Sequence, residues 1–372
     1  MIDESILKVE ERAAYQLRAL YTDYGYQPYK MSKFEEYDLY ARNKDFLVSD
    51  GIITFTDTNG KLMALKPDVT LSILKNSKDV PHCTQRVYYN ESVYRISGDT
   101  HQFKEIMQTG LECMGIIDFF NTMEVLQLAA ESLQTLSSSY VLEISHMGFL
   151  NALLKQADAG ETFNEQVMTC IDEKNRHELN RICGVYGVSD EIRDKLVHFI
   201  SIYGERHLVI KELESFCGDD PDMNAALDEL RKISAAFDDT NFADHVRFDF
   251  SLVNDMKYYD GVVFQGFIEG IPEVVLSGGQ YDQLLRRMGR KSGGIGFAAY
   301  LDLLEYLRPG TRKYDVDVVV LYEPDADPKR LKDAVTAMRR EGDTVSVQRE
   351  IPAHLNFKRL AKFNGEEIVP YE

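Results

Sequence analysis

Residues Phe248 to Asp302 hold the stretch that decides how this chain is read. It runs Phe-Asp-Phe-Ser-Leu-Val-Asn-Asp-Met-Lys-Tyr-Tyr-Asp-Gly-Val-Val-Phe-Gln-Gly-Phe over 248–267, Ser-Gly-Gly-Gln-Tyr-Asp-Gln-Leu over 277–284 and Gly-Ile-Gly-Phe-Ala-Ala-Tyr-Leu-Asp over 294–302. Val262, Val263, Phe264 and Phe267 form a β-rich run, and Glu273–Leu276 forms a second. Gly270–Pro272 between them is turn chemistry, so the pair reads as a hairpin. Gly278 and Gly279 then read as the opening of a helix over Gln280–Met288, and Gly293, Gly294 and Gly296 punctuate a strand that runs into a further helix. Glycines let a backbone come close to a ligand, and a helix N-terminus offers free N–H groups to an anion. Spacing alone leaves two readings open, a ligand site or a hairpin with ordinary capping glycines.

The chain has 372 residues, enough for two or three domains with a sizeable core. Hydrophobic residues at 44% and charged residues at 28% are usual for a soluble globular protein. No apolar run reaches the roughly 18 residues of a membrane span, and the acidic start Met1-Ile2-Asp3-Glu4-Ser5 lacks a signal-peptide core. Cys83, Cys113, Cys170, Cys183 and Cys217 are odd in number, scattered and form no Cys-x-x-Cys pair. That pattern predicts reduced thiols, a cytoplasmic location and no zinc site. Asp plus Glu at 61 against 42 Lys plus Arg gives a net charge of −19, which argues against a nucleic-acid-gripping surface.

Upstream, Asp3-Glu4-Ser5 predicts the cap of a helix carrying Ile6, Val9, Ala13, Leu17, Leu20 and Tyr21, ended near Gly25. Ile52–Thr56 and Lys61–Lys66 alternate like strands around Asn59-Gly60, a strong hairpin signal. Pro67 and Asp68 open a helix, so Asp68 by itself reads as a carboxylate compensating the helix dipole. Arg86–Arg95 and Gln108–Met114 read as strands around the polar loop Ile96–Glu105, where His101 reads as a surface residue. Glu112 stands inside an apolar strand, where a carboxylate either faces solvent or is buried with a partner. Asp118–Leu136 reads as a helix and Tyr140–Ile144 as a strand ahead of His146. From 150 to 239 strand signals stop and helical periodicity takes over, over Leu150–Gln156, Phe163–Glu173, Ile192–Tyr203, Glu205–Phe216 and Met223–Phe237.

The expected organisation is thus a core split into 1–149 and 240–310 by an all-helical insertion at 150–239, followed by a small α/β module at 311–372. In that module Val316–Tyr322, Thr344–Val347 and Ile368-Val369 read as strands, Asp327–Glu341 as a helix and Phe357–Phe363 as helical.

These residues resemble class II histidyl-tRNA synthetases along nearly the whole chain. Lys66-Pro67-Asp68-Val69-Thr70 stands for the family's Arg-Pro-Glu-Gly-Thr, and Tyr94-Arg95 for the Phe-Arg of motif 2. Gln108–Glu112 matches the strand that follows motif 2, Leu252–Gly261 resembles Leu-Val-Arg-Gly-Leu-Asp-Tyr-Tyr-x-Gly, Ser277–Leu284 resembles Gly-Gly-Gly-Arg-Tyr-Asp-Gly-Leu, and Gly294–Asp302 resembles motif 3. The resemblance implies an α+β fold, with an antiparallel sheet core flanked by helices and a shortened anticodon-binding-like module at the end.

The departures fall on the ATP side. Asn254 replaces the arginine of Leu-Val-Arg-Gly, Asp302 replaces the motif 3 arginine, Ser97 replaces a glutamate, and the loop covering ATP is one residue shorter. At about 5 Å and an effective dielectric of about 20, a unit charge is worth about 3 kcal/mol, so reversing one at Asp302 costs ATP about 6 kcal/mol. The amino-acid side keeps its chemistry. The resemblance implies Asp68, Thr70 and Gln108 at the α-ammonium of histidine and Glu112, Tyr259 and Tyr281 at its imidazole. Tyr259 is preferred over Tyr258 because neighbours on a strand face opposite ways. Asp260 and Asp282 read as turn and helix-cap residues. Arg95 and the N–H groups after Gly278-Gly279 are the candidate anion contacts.

A histidine pocket kept while the ATP site is lost resembles the regulatory-subunit family of ATP phosphoribosyltransferase, to which Leu142–His146 followed by Met147-Gly148 is also similar. That resemblance implies a non-catalytic chain with no cofactor, metal or nucleic-acid partner. It further implies a short-form catalytic subunit as partner, L-histidine as effector and a homodimer of this chain inside a hetero-oligomer. The alternatives are a synthetase with atypical catalytic residues, or an amino-acid sensor with another partner.

Overall fold

The computed structural model describes residues 7–43, 51–80, 83–96, 102–252, 258–307 and 314–371. The expectations for Asp3-Glu4-Ser5, Ile6, Ser97–His101 and Asn254 lie outside them. The chain divides into two compact units, Met1–Leu307 and Arg308–Glu372.

The first unit opens with α1 (Val9–Asp23), β1 (Gln27–Pro28), β2 (Phe34–Glu36), α2 (Tyr37–Arg42), β3 (Thr54–Thr56), β4 (Leu62–Leu65) and α3 (Val69–Asn76). The long strands β5 (Gln85–Ile96) and β6 (Phe103–Gly115), the helix α4 (Phe119–Leu136) and the strand β7 (Tyr140–His146) follow. A helical region comes next: α5 (Met147–Ala157), α6 (Glu161–Asp172), α7 (Arg176–Tyr186), α8 (Asp190–Phe199), the short β8 (Tyr203–Gly204), α9 (Arg206–Cys217) and α10 (Pro221–Phe237). The chain then returns through β9 (Val246–Asp249), β10 (Val262–Ile268), β11 (Leu276–Gln280), α11 (Asp282–Arg287), β12 (Gly293–Tyr300) and a 3-10 stretch, Leu301–Leu307.

Nine strands form one sheet in the order β1-β5-β6-β12-β11-β10-β7-β9-β8. Its centre, β5 through β7, is antiparallel throughout. The α+β expectation holds, and the two halves of the core meet where β12 pairs with β6 and where β7 pairs with β10 and β9. Side chains alternate between faces with a period of two. One face, with Leu111, Phe297, Phe264 and Ile144, packs under Leu17 and Tyr21 of α1 and Val125, Ala129 and Leu133 of α4. The other face therefore receives Glu112, Gln108, Gly296, Ala298 and Tyr300, and that is where the candidate site lies.

Asn59-Gly60 turns β3 into β4, with Gly60 in the left-handed region at φ +81°. Asp118 caps α4 by accepting from Asn121 N at 3.0 Å. His146 ends β7 and caps α5, its Nδ1 accepting from Gly148 N at 3.0 Å.

Several expectations are corrected. Strand β11 begins at Leu276 rather than Glu273 and contains Gly278 and Gly279, while the helix after it begins only at Asp282. The glycine pair reads as a helix mouth because glycine weakens strands. Here it serves close approach instead: a Cβ on Gly278 would strike the Gly296 carbonyl, and one on Gly279 the Tyr259 ring. Tyr258 and Tyr259 lie in a turn ahead of β10, so strand alternation does not separate them. Helix α7 has no counterpart in the sequence reading; its apolar side is only Leu179, Ile182 and Cys183 among charged and polar neighbours.

The second unit contains β13 (Val316–Leu321), α12 (Pro328–Arg340), β14 (Val345–Gln348), β15 (Phe357–Phe363) and β16 (Ile368–Pro370). Its sheet order is β14-β13-β15-β16, with α12 burying Val335 against Val318, Val320, Ala361 and Phe363. Phe357–Phe363 is thus an inner strand and not a helix. In so short a run both periods fit, and pairing on two sides decides.

Candidate functional site

A cavity of about 350 Å³ opens on the sheet face opposite α1 and α4. Strand register builds its floor in rows. Glu112 pairs with Gly296 and Gly296 with Gly279, while Gly110 pairs with Ala298, Ala298 with Ser277, and Ser277 with Gln265. Gln108 pairs with Tyr300. The side wall comes from Asp68 and Thr70 at the start of α3, and the remaining wall from Tyr258, Tyr259 and Tyr281.

Glu112 is the centre of the site. It is only 2% exposed. Thr70 Oγ1 donates to its Oε1 at 2.5 Å and Tyr281 OH donates to its Oε2 at 2.5 Å. Burial pushes its carboxyl up to about 8 against the pull of those two hydroxyls, and Asp68 adds to the rise. Gly296 leaves the space it occupies: a Cβ there would collide with Glu112 Oε2. Gly294 does the same for Tyr281, whose ring lies where a Cβ would go.

Asp68 caps α3, its Oδ1 accepting from Leu71 N at 2.8 Å. Burial raises its carboxyl, opposed by that N–H and by Arg95 and Lys66. One oxygen is thus committed to the helix, which reconciles its capping role with its place on the cavity wall. Lys66, fully buried, pairs with Glu91 at 2.9 Å and ties the strand β5 to the start of α3. Arg95 Nε donates to Pro67 O at 3.1 Å, which holds this guanidinium at the cavity edge, where it is the cation among the described lining residues.

All six residues expected at a histidine, Asp68, Thr70, Gln108, Glu112, Tyr259 and Tyr281, line this one cavity, and so does Arg95. Gly278 and Gly279 do not line it. Both sit in mid-strand with partners on either side, Val263 and Phe264 on β10 and Gly296 and Phe297 on β12, so their backbone belongs to the ladders. Asp260 and Asp282 make structural contacts, but Asp282 is not the expected helix cap: it is the first helical residue and accepts from Gly294 N and Gln280, while Asp260 accepts from Asp282 N and Arg286.

The structure adds Tyr258, Tyr89, Gln265, Ser277 and Tyr300 to the wall. For Tyr89, Gln265, Ser277 and Tyr300 the signal is strand register, which no local motif carries. Tyr258 and Tyr259 rings lie 4.6 Å apart and both face the cavity. Asp302 lies outside this cavity, in an adjoining one that shares Arg95, Val274 and Tyr300 with it.

Comparison with known proteins agrees with this fold. The family model described as histidyl-tRNA synthetase matches residues 3–304. The ATP phosphoribosyltransferase regulatory subunit of Oceanobacillus iheyensis is 27% identical over 331 residues, 87% of this chain and 80% of that one. A solved ATP phosphoribosyltransferase regulatory subunit/histidyl-tRNA synthetase from Bacillus halodurans superposes with a TM-score of 0.74 at 24% identity, over 94% of this chain and 91% of that one. A solved ATP phosphoribosyl transferase complex from Thermotoga maritima includes a chain with a TM-score of 0.62 at 21% identity, over 78% of this chain and 97% of that one. The chain belongs to the histidyl-tRNA synthetase family, and the relatives it resembles within that family include regulatory subunits of ATP phosphoribosyltransferase.

Proposed function

We propose that the cavity binds L-histidine and that the chain is the regulatory subunit of ATP phosphoribosyltransferase. In this role it makes no product of its own. It assembles with a short-form catalytic subunit, enables the first step of histidine biosynthesis and conveys feedback inhibition by histidine. The names of the curated relatives support the assignment. The observation that carries the ligand is Glu112, a buried carboxyl fixed by two hydroxyls at the foot of a tyrosine-walled cavity. Such a group exchanges a proton with an imidazole at short range, and the tyrosines close flat apolar surface over the ring.

In this reading Asp68, Thr70 and Gln108 take the α-ammonium, Glu112, Tyr259 and Tyr281 the imidazole, and Arg95 the carboxylate. The active form is a homodimer of this chain within a larger hetero-oligomer in the cytoplasm. Loss of adenylation follows from charge: Asp302 stands where the family has an arginine, beside Glu273 and Glu305 on the wall of the adjoining cavity.

Isothermal titration with L-histidine tests the ligand, and co-purification with the short-form catalytic subunit, assayed with and without histidine, tests the role. Failure of histidine to bind either alone or in the complex overturns the first. Failure of the catalytic subunit to co-elute overturns the second. The family-model description favours aminoacylation as a second reading. Histidine-dependent ATP–pyrophosphate exchange separates the two, since a regulatory subunit shows none.

A further inference from the structure

The histidine cavity continues outward. A second cavity of about 930 Å³ shares Arg95, Val274 and Tyr300 with it as a common wall. The strands set the direction. Along β6 the residues on this face are Glu112, Gly110, Gln108, Ile106 and Lys104, in that order from the inner cavity to the outer one. Beside it, β12 runs outward from Gly296 to Tyr300, and Asp302 follows. Each step of two residues along a strand advances about 6.5 Å. A ligand with its imidazole at Glu112 and its α-ammonium near Gln108 therefore aims its carboxyl group at the shared wall. Whatever is joined to that carboxyl enters the outer cavity.

The outer cavity has a distinct charge pattern. Lys104 stands with Arg95, while Glu273, Asp302 and Glu305 supply carboxylates. Lys104, Glu273 and Asp302 line this one cavity, with all three side chains exposed at its surface. Phe267, Leu303 and the half-exposed Tyr306 provide apolar and aromatic surface. A phosphate-bearing extension meets three carboxylates here. A peptide extension with a cationic side chain fits better: its terminal carboxylate meets Lys104, and its cation meets Asp302 and Glu273, with its methylenes on Phe267 and Tyr306.

We propose, resting on the histidine reading of the inner cavity, that the two cavities form one continuous site for L-histidyl dipeptides whose second residue is basic. The inner cavity holds the histidyl residue and the outer one selects its neighbour by charge.

Titration calorimetry of the chain with L-histidine, L-histidyl-L-lysine and L-histidyl-L-glutamate tests this. The lysyl dipeptide is expected to bind about tenfold tighter than the glutamyl one, the ratio set by about 1.4 kcal/mol. Combining Glu273→Gln with Asp302→Asn erases that preference and leaves L-histidine affinity unchanged. Lys104→Glu, on the cation side of the cavity, weakens both dipeptides and again spares L-histidine. Equal binding of the two dipeptides, or binding of L-histidine with neither dipeptide, overturns the proposal. If L-histidine itself does not bind, the reading of the inner cavity falls and takes this one with it.

Discussion

In Glu112 the proposed binding of histidine is set against stability in a single side chain. Its carboxyl titrates near 8 in the folded chain, against an ordinary value of 4.5, because burial disfavours the charge. A raised folded value means the unfolded chain gives up this proton first. The stabilising contribution is therefore complete below about 4.5 and is lost as pH rises through about 8. Glu112→Gln removes that loss while keeping an oxygen for Thr70 or Tyr281. It is expected to melt above the parent at pH 8.5, with the gap closing by pH 5, in thermal scans of the ligand-free protein. The same substitution weakens histidine binding by about 1–3 kcal/mol, because it removes the proton exchange with the imidazole. Tyr259→Phe has an effect of similar size on binding, and titration calorimetry reads both. If both variants bind like the parent, the imidazole is not where we place it.

Proton linkage gives the same residue a signature in affinity. Between about pH 6.5, where an imidazole titrates, and about 8, the free protein carries one proton on Glu112 and the free ligand's ring carries none. The complex holds that one proton between them, so affinity is flat in this window. Above it binding must take up a proton, and affinity falls about tenfold per pH unit. Below it a proton must be released, and affinity falls again. Calorimetry across pH 5–9.5 is expected to trace this plateau with two falling flanks.

At the scale of elements, the site depends on β12 presenting no side chain where it passes Glu112 of β6. β12 passes β6 with Gly296 opposite Glu112, and the carboxylate fills the volume a Cβ would take. Gly296→Ala forces Glu112 off its two hydroxyl donors. Overpacking of this kind costs about 1–3 kcal/mol of stability, read as a lowered melting temperature, and it removes histidine binding. Asp282 holds α11 to β12 by accepting from Gly294 N at 3.0 Å, away from the cavity lining. Asp282→Ala is expected to lower stability by about 1 kcal/mol. Its effect on affinity is smaller than that of Gly296→Ala, because Tyr281 keeps its bond to Glu112. The helix α3 links the scales: its cap, Asp68, is also cavity wall, so the start of the helix helps to shape the cavity.

At the scale of the whole molecule, the first unit holds a cavity on one sheet face and a helical core on the other, with the helical region inserted between β7 and β9. Histidine affinity is expected to change when the short-form catalytic subunit is bound, because an effector that favours one assembly state must bind the two states unequally. Calorimetry of the chain alone and of the complex reads this difference. Much was legible beforehand. The Asn59-Gly60 turn, the helix starting at Asp118 and the helical periodicity of 150–239 are local patterns, and local sterics and burial suffice to determine them. The six candidate ligand residues were legible only through motif resemblance, since they come from α3, β6 and the two segments flanking β10 and β11. What the sequence alone could not decide was whatever depends on partners far along the chain. Gly278 and Gly279 became strand because two neighbours pair with them, and Phe357–Phe363 became strand for the same reason. Tyr89, Gln265 and Ser277 joined the wall through cross-strand register. Backbone pairing energy is collected between distant segments, so a local pattern can state what a residue prefers, while the neighbour it meets decides what it does.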